Sequence, residues 1–318
     1  MNSELIIDSS ANEVHIALVE EKRLVELNTE KKENNFSVGD IYLGRVKKLM
    51  PSLNAAFVDI GYEKDAFLHY LDLGAQVQSM IKFMKNTQGG RQPEALLNNF
   101  ELEADIHKAG KIGQVLAPNM NIMVQIAKEP ISSKGPRITS EISFAGRYVV
   151  LVPFSDIVSV SQKIKSSAER LRLKRLATSI KPRNFGIIVR TVAEGKKVAD
   201  LDRDVQDLAA KWNTLYEQLK SSQPPAKLLG EIDRTSTILR DLLSPDFNAV
   251  HVNDVRVAEE IKSYIRGIAP DQVDIVKMYK GKMPIFEHFA IDKQIKSLFG
   301  KTVNMAGGSY LIIEHTEA

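Results

Sequence analysis

The sequence predicts an α+β multidomain protein, with a small antiparallel β-barrel in its N-terminal third and an α/β region toward its C-terminus. Two patterns carry this. Between Val38 and His69 (VGDIYLGRVKKLMPSLNAAFVDIGYEKDAFLH) apolar and polar residues alternate at period two. Gly39, Gly44, Pro51-Ser52 and Gly61 punctuate that stretch, as tight turns between short strands require. Beyond residue 227 strand patterns alternate with helical ones, which is the signature of an α/β layer rather than a barrel.

The elements follow in order. Residues 3–28 read as a three-stranded meander (ELIID, EVHIALVE and RLVELN), and 31–35 as a polar linker into the barrel. Residues 74–110 interrupt the barrel as an insertion: a helix (QVQSMIKFMKN), a flexible TQGGRQP loop and a second short helix within PEALLNNFELEADI. The barrel resumes through IMVQIAKE and RITSEISF, joined by the turn ISSKGP. RYVVLVPF (147–154), IVSVSQKI (157–164) and FGIIVRT (185–191) are apolar strands. Between them SSAERLRLKRLATSI is a helix capped by Ser166 or Ser167, with Leu171, Leu173, Leu176 and Ile180 as its buried stripe. A long helix, Val198 to Lys220, buries Leu201, Val205, Leu208, Trp212, Leu215 and Leu219. Its acids Asp200, Asp202, Asp204 and Asp207 suit the helix dipole and read as a solvated face. SSQPPA is a linker. Then come a helix (STILRDLLS), a strand (AVHVN), a helix (VRVAEEIKSYIRGIA), a strand (VDIVKMY), a helix (PIFEHFAIDKQIKSLFG) and a last strand, SYLIIEH.

Composition narrows the function classes. The chain has 318 residues, 43% of them hydrophobic, enough for two or three cored domains. No apolar run approaches the roughly 18 residues that cross a bilayer, and MNSELIIDSS lacks the build of a secretory signal, so a cytoplasmic location is expected. Zero cysteines exclude disulfides, thiolate metal sites and cysteine nucleophiles within this chain. The six histidines are scattered without metal-cage or acid–base spacing, so neither a catalytic residue nor a metal ligand is assigned. Net charge is only +3, but its distribution is uneven. Nine cations lie between Ser161 and Arg190 against one acid, Glu169, which makes either a solvated helix face or a phosphate-facing patch.

The barrel stretch interleaves cations (Arg45, Lys47, Lys48, Lys64) with aromatics (Tyr42, Phe57, Phe67). Cations neutralise phosphates and aromatics stack on unpaired bases, so a strand face carrying both holds single-stranded nucleic acid. The alternative is that Phe57 and Phe67 are barrel core. The order GDIYLGRV, PSLNAAFVDIG, DAFLH resembles an S1 domain, an RNA-binding form of the OB-fold, which implies RNA contact for both phenylalanines.

Taken jointly, PSLNAAFVDIG, the SKG turn, ISFAGRYVVLVP, IIVRT, YKGKMPIFEHFAIDKQI and GGSYLIIEHTEA resemble the ribonuclease E/G family of single-strand-specific bacterial endoribonucleases, over essentially the whole chain. The resemblance implies an RNase H-like subdomain (1–35 and 227–300) interrupted by an S1 domain (36–145) and a 5′-sensor region (146–226). It makes 301–318 the start of a catalytic subdomain. It implies RNA-binding roles for Phe57, Phe67 and the turn lysine Lys134, which join Tyr42, Arg45 and Lys64 from the interleaved barrel pattern. It implies a 5′-monophosphate pocket of Arg190, Thr191, Gly146 and Val150, with single-stranded, 5′-monophosphorylated RNA as partner and a homo-oligomeric full-length protein.

Two departures qualify it. The family's second pocket arginine falls in Gln162-Lys163-Ile164, where Lys163 supplies charge without the planar fork, and residues 131–133 differ from the family pattern. The aspartates that hold the family's Mg²⁺, and the cysteines that share a structural Zn²⁺, are expected beyond Ala318; this chain is therefore expected to bind RNA without cutting it. Glu314 and Glu317 precede the catalytic position and do not replace them. A non-catalytic single-stranded RNA-binding protein is the alternative reading.

Overall fold

A computed structural model describes residues 3–31, 36–243, 247–305 and 307–314. The chain forms two compact units, one from Met1–Asn34 and Asp233–Ala318, the other from Asn35–Ile232. The first begins with the antiparallel meander β1 (Ser3–Ser9), β2 (Glu13–Glu20) and β3 (Arg23–Lys31), as the alternation requires. The linker residues 32–35 lie outside the described set.

The second unit opens with β4 (Ile41–Met50), β5 (Ala55–Asp59) and β6 (Ala66–His69). Helix α1 (Val77–Gln88) and a long irregular segment follow, then β7 (Asn121–Lys128) and β8 (Arg137–Thr139). Pairing of β4 with both β5 and β7 closes these strands into a five-stranded barrel, as the OB-fold expectation requires. Next come β9 (Phe144–Ala145), β10 (Val149–Pro153), β11 (Val158–Val160), α2 (Ser167–Ile180), β12 (Phe185–Val189) and α3 (Val198–Ser221). The strands make a second sheet in the order β11-β12-β10-β9, on which α2 and α3 pack. Strand β13 (Ala226–Leu229) pairs with β4, so residues 227–232, expected in the α/β return, belong to the barrel's unit.

The insertion is more ordered than its composition implies. The second helix expected within 93–106 does not form. Its backbone groups are claimed by tertiary partners instead: Trp212 Nε1 donates to Ala95 O at 2.7 Å, and Asn184 Nδ2 to the carbonyls of Leu97 and Phe100 at 2.8 Å each. With those carbonyls satisfied, a helix offers nothing further. Leu97 and Phe100 join Phe83, Phe154 and Trp212 in one hydrophobic core that runs from the barrel to the second sheet. In α2 the buried positions are Leu173 and Ala177, whereas Leu171, expected inside, is 51% exposed.

The first unit resumes with α4 (Arg234–Leu242), β14 (Phe247–Val252), α5 (Val255–Ile268) and β15 (Val276–Met278). Strands β14 and β15 add in parallel to β1, giving the order β15-β14-β1-β2-β3. Leu5 and Ile7 face α4 and α5, while Ile6 faces α6 (Ile285–His288) and α7 (Ile291–Leu298). Both faces are covered, which is why LII is an unbroken apolar run. One helix was expected where α6 and α7 stand; Ala290, at φ +54°, breaks it, and Ile285, Phe286 and Ile291 all stay buried. A short exposed hairpin, β16 (Thr302–Asn304) with β17 (Tyr310–Ile312), follows. His315 and Glu317 lie outside the described residues.

Candidate nucleic-acid interface

On the barrel, alternation decides which side chains point outward. Ala56 and Val58 of β5 and Ala66 and Leu68 of β6 are fully buried, so Phe57 and Phe67 between them stand on the outer face. They are direct cross-strand partners, with rings edge to face at 5.8 Å. Lys48 Nζ lies 4.9 Å above the Phe57 ring. A register shift between Val46 and Lys48 leaves both Lys47 and Lys48 outward; Lys47 is held by Asp59 at 3.0 Å. Arg45 is exposed beside them.

The backbone at Lys64-Asp65 packs against Gly135, the residue after Lys134. A side chain at Gly135 would strike the Asp65 carbonyl and lie 2.9 Å from that of Lys64, so only glycine lets the Ile131–Lys134 turn close on the loop before β6. Phe67 N donates to Pro136 O at 2.8 Å, tying that turn to the aromatic face. Tyr42 is a correction. It is 3% exposed and stacked on Phe36 at 5.3 Å, so its ring is core, and burial pushes its hydroxyl pKa far above the ordinary value. The start of β4, IYLG, is buried on both faces because Phe36, itself edge to face with Tyr62, covers the Tyr42 ring on the outer side.

The second constellation gathers at the ends of β11 and β12. Arg190 follows β12, its backbone N–H donating to Tyr148 O at 2.8 Å and its Nη1 to Gly146 O at 2.7 Å. The Thr191 hydroxyl sits 2.9 Å from that of Ser161, which follows β11 and whose backbone N–H donates to Val189 O. Parallel pairing of β11 and β12 is what brings these neighbours together. Lys163 is exposed, and its backbone N–H donates to Ser161 Oγ at 3.3 Å. Val150 is half-buried on β10, opposite Ile188 and Ala145. The turn Gly146–Val149 is closed by Gly146 N donating to Val149 O at 2.9 Å. Its outer ring, Tyr148, has the Arg147 guanidinium 5.7 Å and Lys196 Nζ 5.8 Å from its centroid. Glu169 clamps the edge: it accepts from Arg172 Nη2 at 2.6 Å and from Gly195 N at 2.9 Å. These bonds hold its carboxyl at about 2.

A sequence model described as the Ribonuclease E/G family matches residues 143–318. The chain belongs to the ribonuclease E/G family. Ribonuclease G of Haemophilus influenzae is 33% identical over 99% of this chain and 60% of its own length. Ribonuclease G of Escherichia coli K12 is 30% identical over all of this chain and 61% of its own. Ribonuclease E of a Nostoc species is 35% identical over 88% of this chain and 38% of its own. The chain thus spans about three-fifths of the ribonuclease G relatives it matches.

Two members of this constellation escaped the sequence reading. Ser161 carried no signal: it lies inside the strand expected over 157–164, whereas β11 ends at Val160. Asp204 did: it falls three residues after Leu201 and four before Leu208, on the buried stripe, and it is not on a solvated face. Its carboxylate accepts from the backbone N–H groups of Arg147 (3.1 Å), Tyr148 (2.7 Å) and Val149 (2.9 Å). As for metals, the candidate carboxylates among the described residues are engaged by other groups. Asp8 accepts from Asn253, Asp254 caps α5, and Glu314 pairs with Lys301. Among the described residues no three carboxylate, imidazole or thiolate groups gather, and the chain has no cysteine. Among them, too, no helix is long and apolar enough to cross a membrane.

Proposed function

We propose that this chain is the RNA-holding and 5′-end-sensing part of a ribonuclease E/G-type endoribonuclease, a cytoplasmic enzyme of RNA processing and decay that cuts single strands. In this reading the barrel is an S1 domain, the α2–α3 region is the 5′ sensor, and the unit that encloses them in sequence is RNase H-like. Hydrolysis at a Mg²⁺ site and zinc-linked homo-oligomerisation are assigned to sequence outside these residues, so this chain alone binds RNA and leaves it intact.

The observation that carries the reading is the outward Phe57–Phe67 pair with Lys48 over one ring. The cross-strand ring pair contributes up to about 1 kcal/mol to the sheet, whereas stacking on unpaired bases is worth about 1–3 kcal/mol per base. The Arg190 pocket adds selectivity for the end. A guanidinium grips a terminal phosphate dianion through parallel N–H bonds, and the Thr191 and Ser161 hydroxyls supply further donors. Lys163 contributes charge at the rim.

The test is direct titration of single-stranded and duplex RNA of the same sequence across salt, with a parallel incubation in Mg²⁺. The reading expects tighter binding of the single strand, a steep fall with salt and no new RNA fragments. Equal affinity for the duplex sinks the barrel assignment, and cleavage that follows the purified chain sinks the division of labour.

A further inference from the structure

The Arg190 guanidinium and the Asp204 carboxylate bond the two ends of one peptide group. Arg190 Nη1 donates to the carbonyl of Gly146 at 2.7 Å, and the N–H of the same peptide, on Arg147, donates to Asp204 Oδ1 at 3.1 Å. Asp204 Oδ2 then accepts from the next two amides, Tyr148 at 2.7 Å and Val149 at 2.9 Å. A carboxylate on the N–H side makes the carbonyl on the other side a better acceptor, because hydrogen bonds in a chain polarise one another. The side chain of Asp204 is deep enough that burial lifts its carboxyl above the ordinary aspartate value, against the pull of the three amides. A charge is costly there unless something needs it.

From this we infer that Asp204 is a positioning residue for the 5′-phosphate pocket, aiming Arg190 through the Gly146–Arg147 peptide. The inference rests on Arg190 being the phosphate ligand. Three consecutive amides pointing one way are themselves an anion-binding nest. Asp204 fills that nest from the helix side, so the terminal phosphate has to be taken by side chains on the open side. It also explains Gly146. A Cβ there would lie 2.5 Å from both carboxylate oxygens, so any larger residue pushes the peptide off Asp204 and the carbonyl off Arg190.

The experiment uses the 318-residue chain and two oligoribonucleotides of one sequence, 5′-monophosphorylated and 5′-hydroxyl, titrated by fluorescence anisotropy. Asp204→Asn keeps the size of the side chain but offers one acceptor oxygen and one misplaced amide. The expected result is a loss of about fivefold in the preference for the phosphorylated RNA. Adding Asp204→Asn to Arg190→Ala should cost no further preference, because both act through one contact. Asp204→Glu, which retains the charge one methylene out of place, serves if the asparagine variant does not fold. An unchanged preference in the folded variant overturns the inference. So does an equal loss of affinity for both RNAs, which marks Asp204 as support for the fold alone. If Arg190→Ala itself leaves the preference intact, it is the pocket reading that fails, and the two failures are told apart.

Discussion

The barrel face and the Arg190 pocket stand on the same hydrophobic core, yet they present their cations in opposite ways. On the barrel, Lys48, Lys64 and Lys134 are exposed, and the Phe57 and Phe67 rings are fixed by strand register. In the pocket, Arg190 is already bonded to Gly146, Thr191 to Ser161, and the turn to Asp204. Loose charges and rigid rings suit a ligand that differs at every nucleotide but repeats its backbone. A locked guanidinium suits one group of fixed shape. The difference teaches which of the two should supply affinity and which discrimination.

The largest effect is expected from the rings. Phe57→Ala with Phe67→Ala should lower affinity for single-stranded RNA about 30-fold or more, as the loss of two stacked bases requires. Anisotropy titrations should find that loss equal for 5′-phosphate and 5′-hydroxyl ends; an unequal loss would merge the two regions into one. Next comes the turn. Gly135→Val forces the Ile131–Lys134 turn away from Asp65, at about 1–3 kcal/mol of stability in urea denaturation, and should weaken RNA binding severalfold. Wild-type affinity in that variant would remove the turn from the interface. Lys134→Ala is milder. It should reduce the slope of log affinity against log salt by about 0.7, the share of one phosphate on a single strand, while Arg175→Ala should leave it unchanged if α2 is only solvated.

The smallest effect tests the pocket's edge. The Glu169 carboxyl lies below its ordinary value of 4.5, at about 2, because Arg172 and Gly195 favour its charged form. A depressed folded-state value stabilises above the ordinary one and is lost as pH falls toward the depressed one. The melting temperatures of wild type and Glu169→Gln should therefore differ most at neutral pH and converge between pH 4.5 and about 2. A gap that persists at the acid end contradicts the clamp.

How much of this was legible beforehand depended on where each residue's partners lie in sequence. Phe57 and Phe67 follow from period-two alternation within one hairpin. The ends of α3 emerge correctly because its apolar spacing is local. Tyr42 failed although its ring partner is near in sequence, because Phe36 lies before the strand and belongs to no alternating pattern. The helix expected within 93–106 failed because its partners are distant: Asn184 and Trp212 take its carbonyls. Asp204 was visible on the apolar stripe of its helix, but charge composition outweighed spacing in reading it. Ser161 needed the parallel pairing of β11 with β12, which no local pattern encodes.

The central claim is that affinity and end discrimination reside in separate regions. A two-by-two titration tests it most directly: Phe57→Ala and Arg190→Ala, each against 5′-monophosphorylated and 5′-hydroxyl single-stranded RNA. The account predicts that Phe57→Ala weakens both RNAs by the same factor. Arg190→Ala should weaken only the phosphorylated one, by about 10-fold, the worth of a charge-assisted phosphate contact. Equal losses from Arg190→Ala on the two RNAs, or a loss from Phe57→Ala confined to the phosphorylated one, would contradict it.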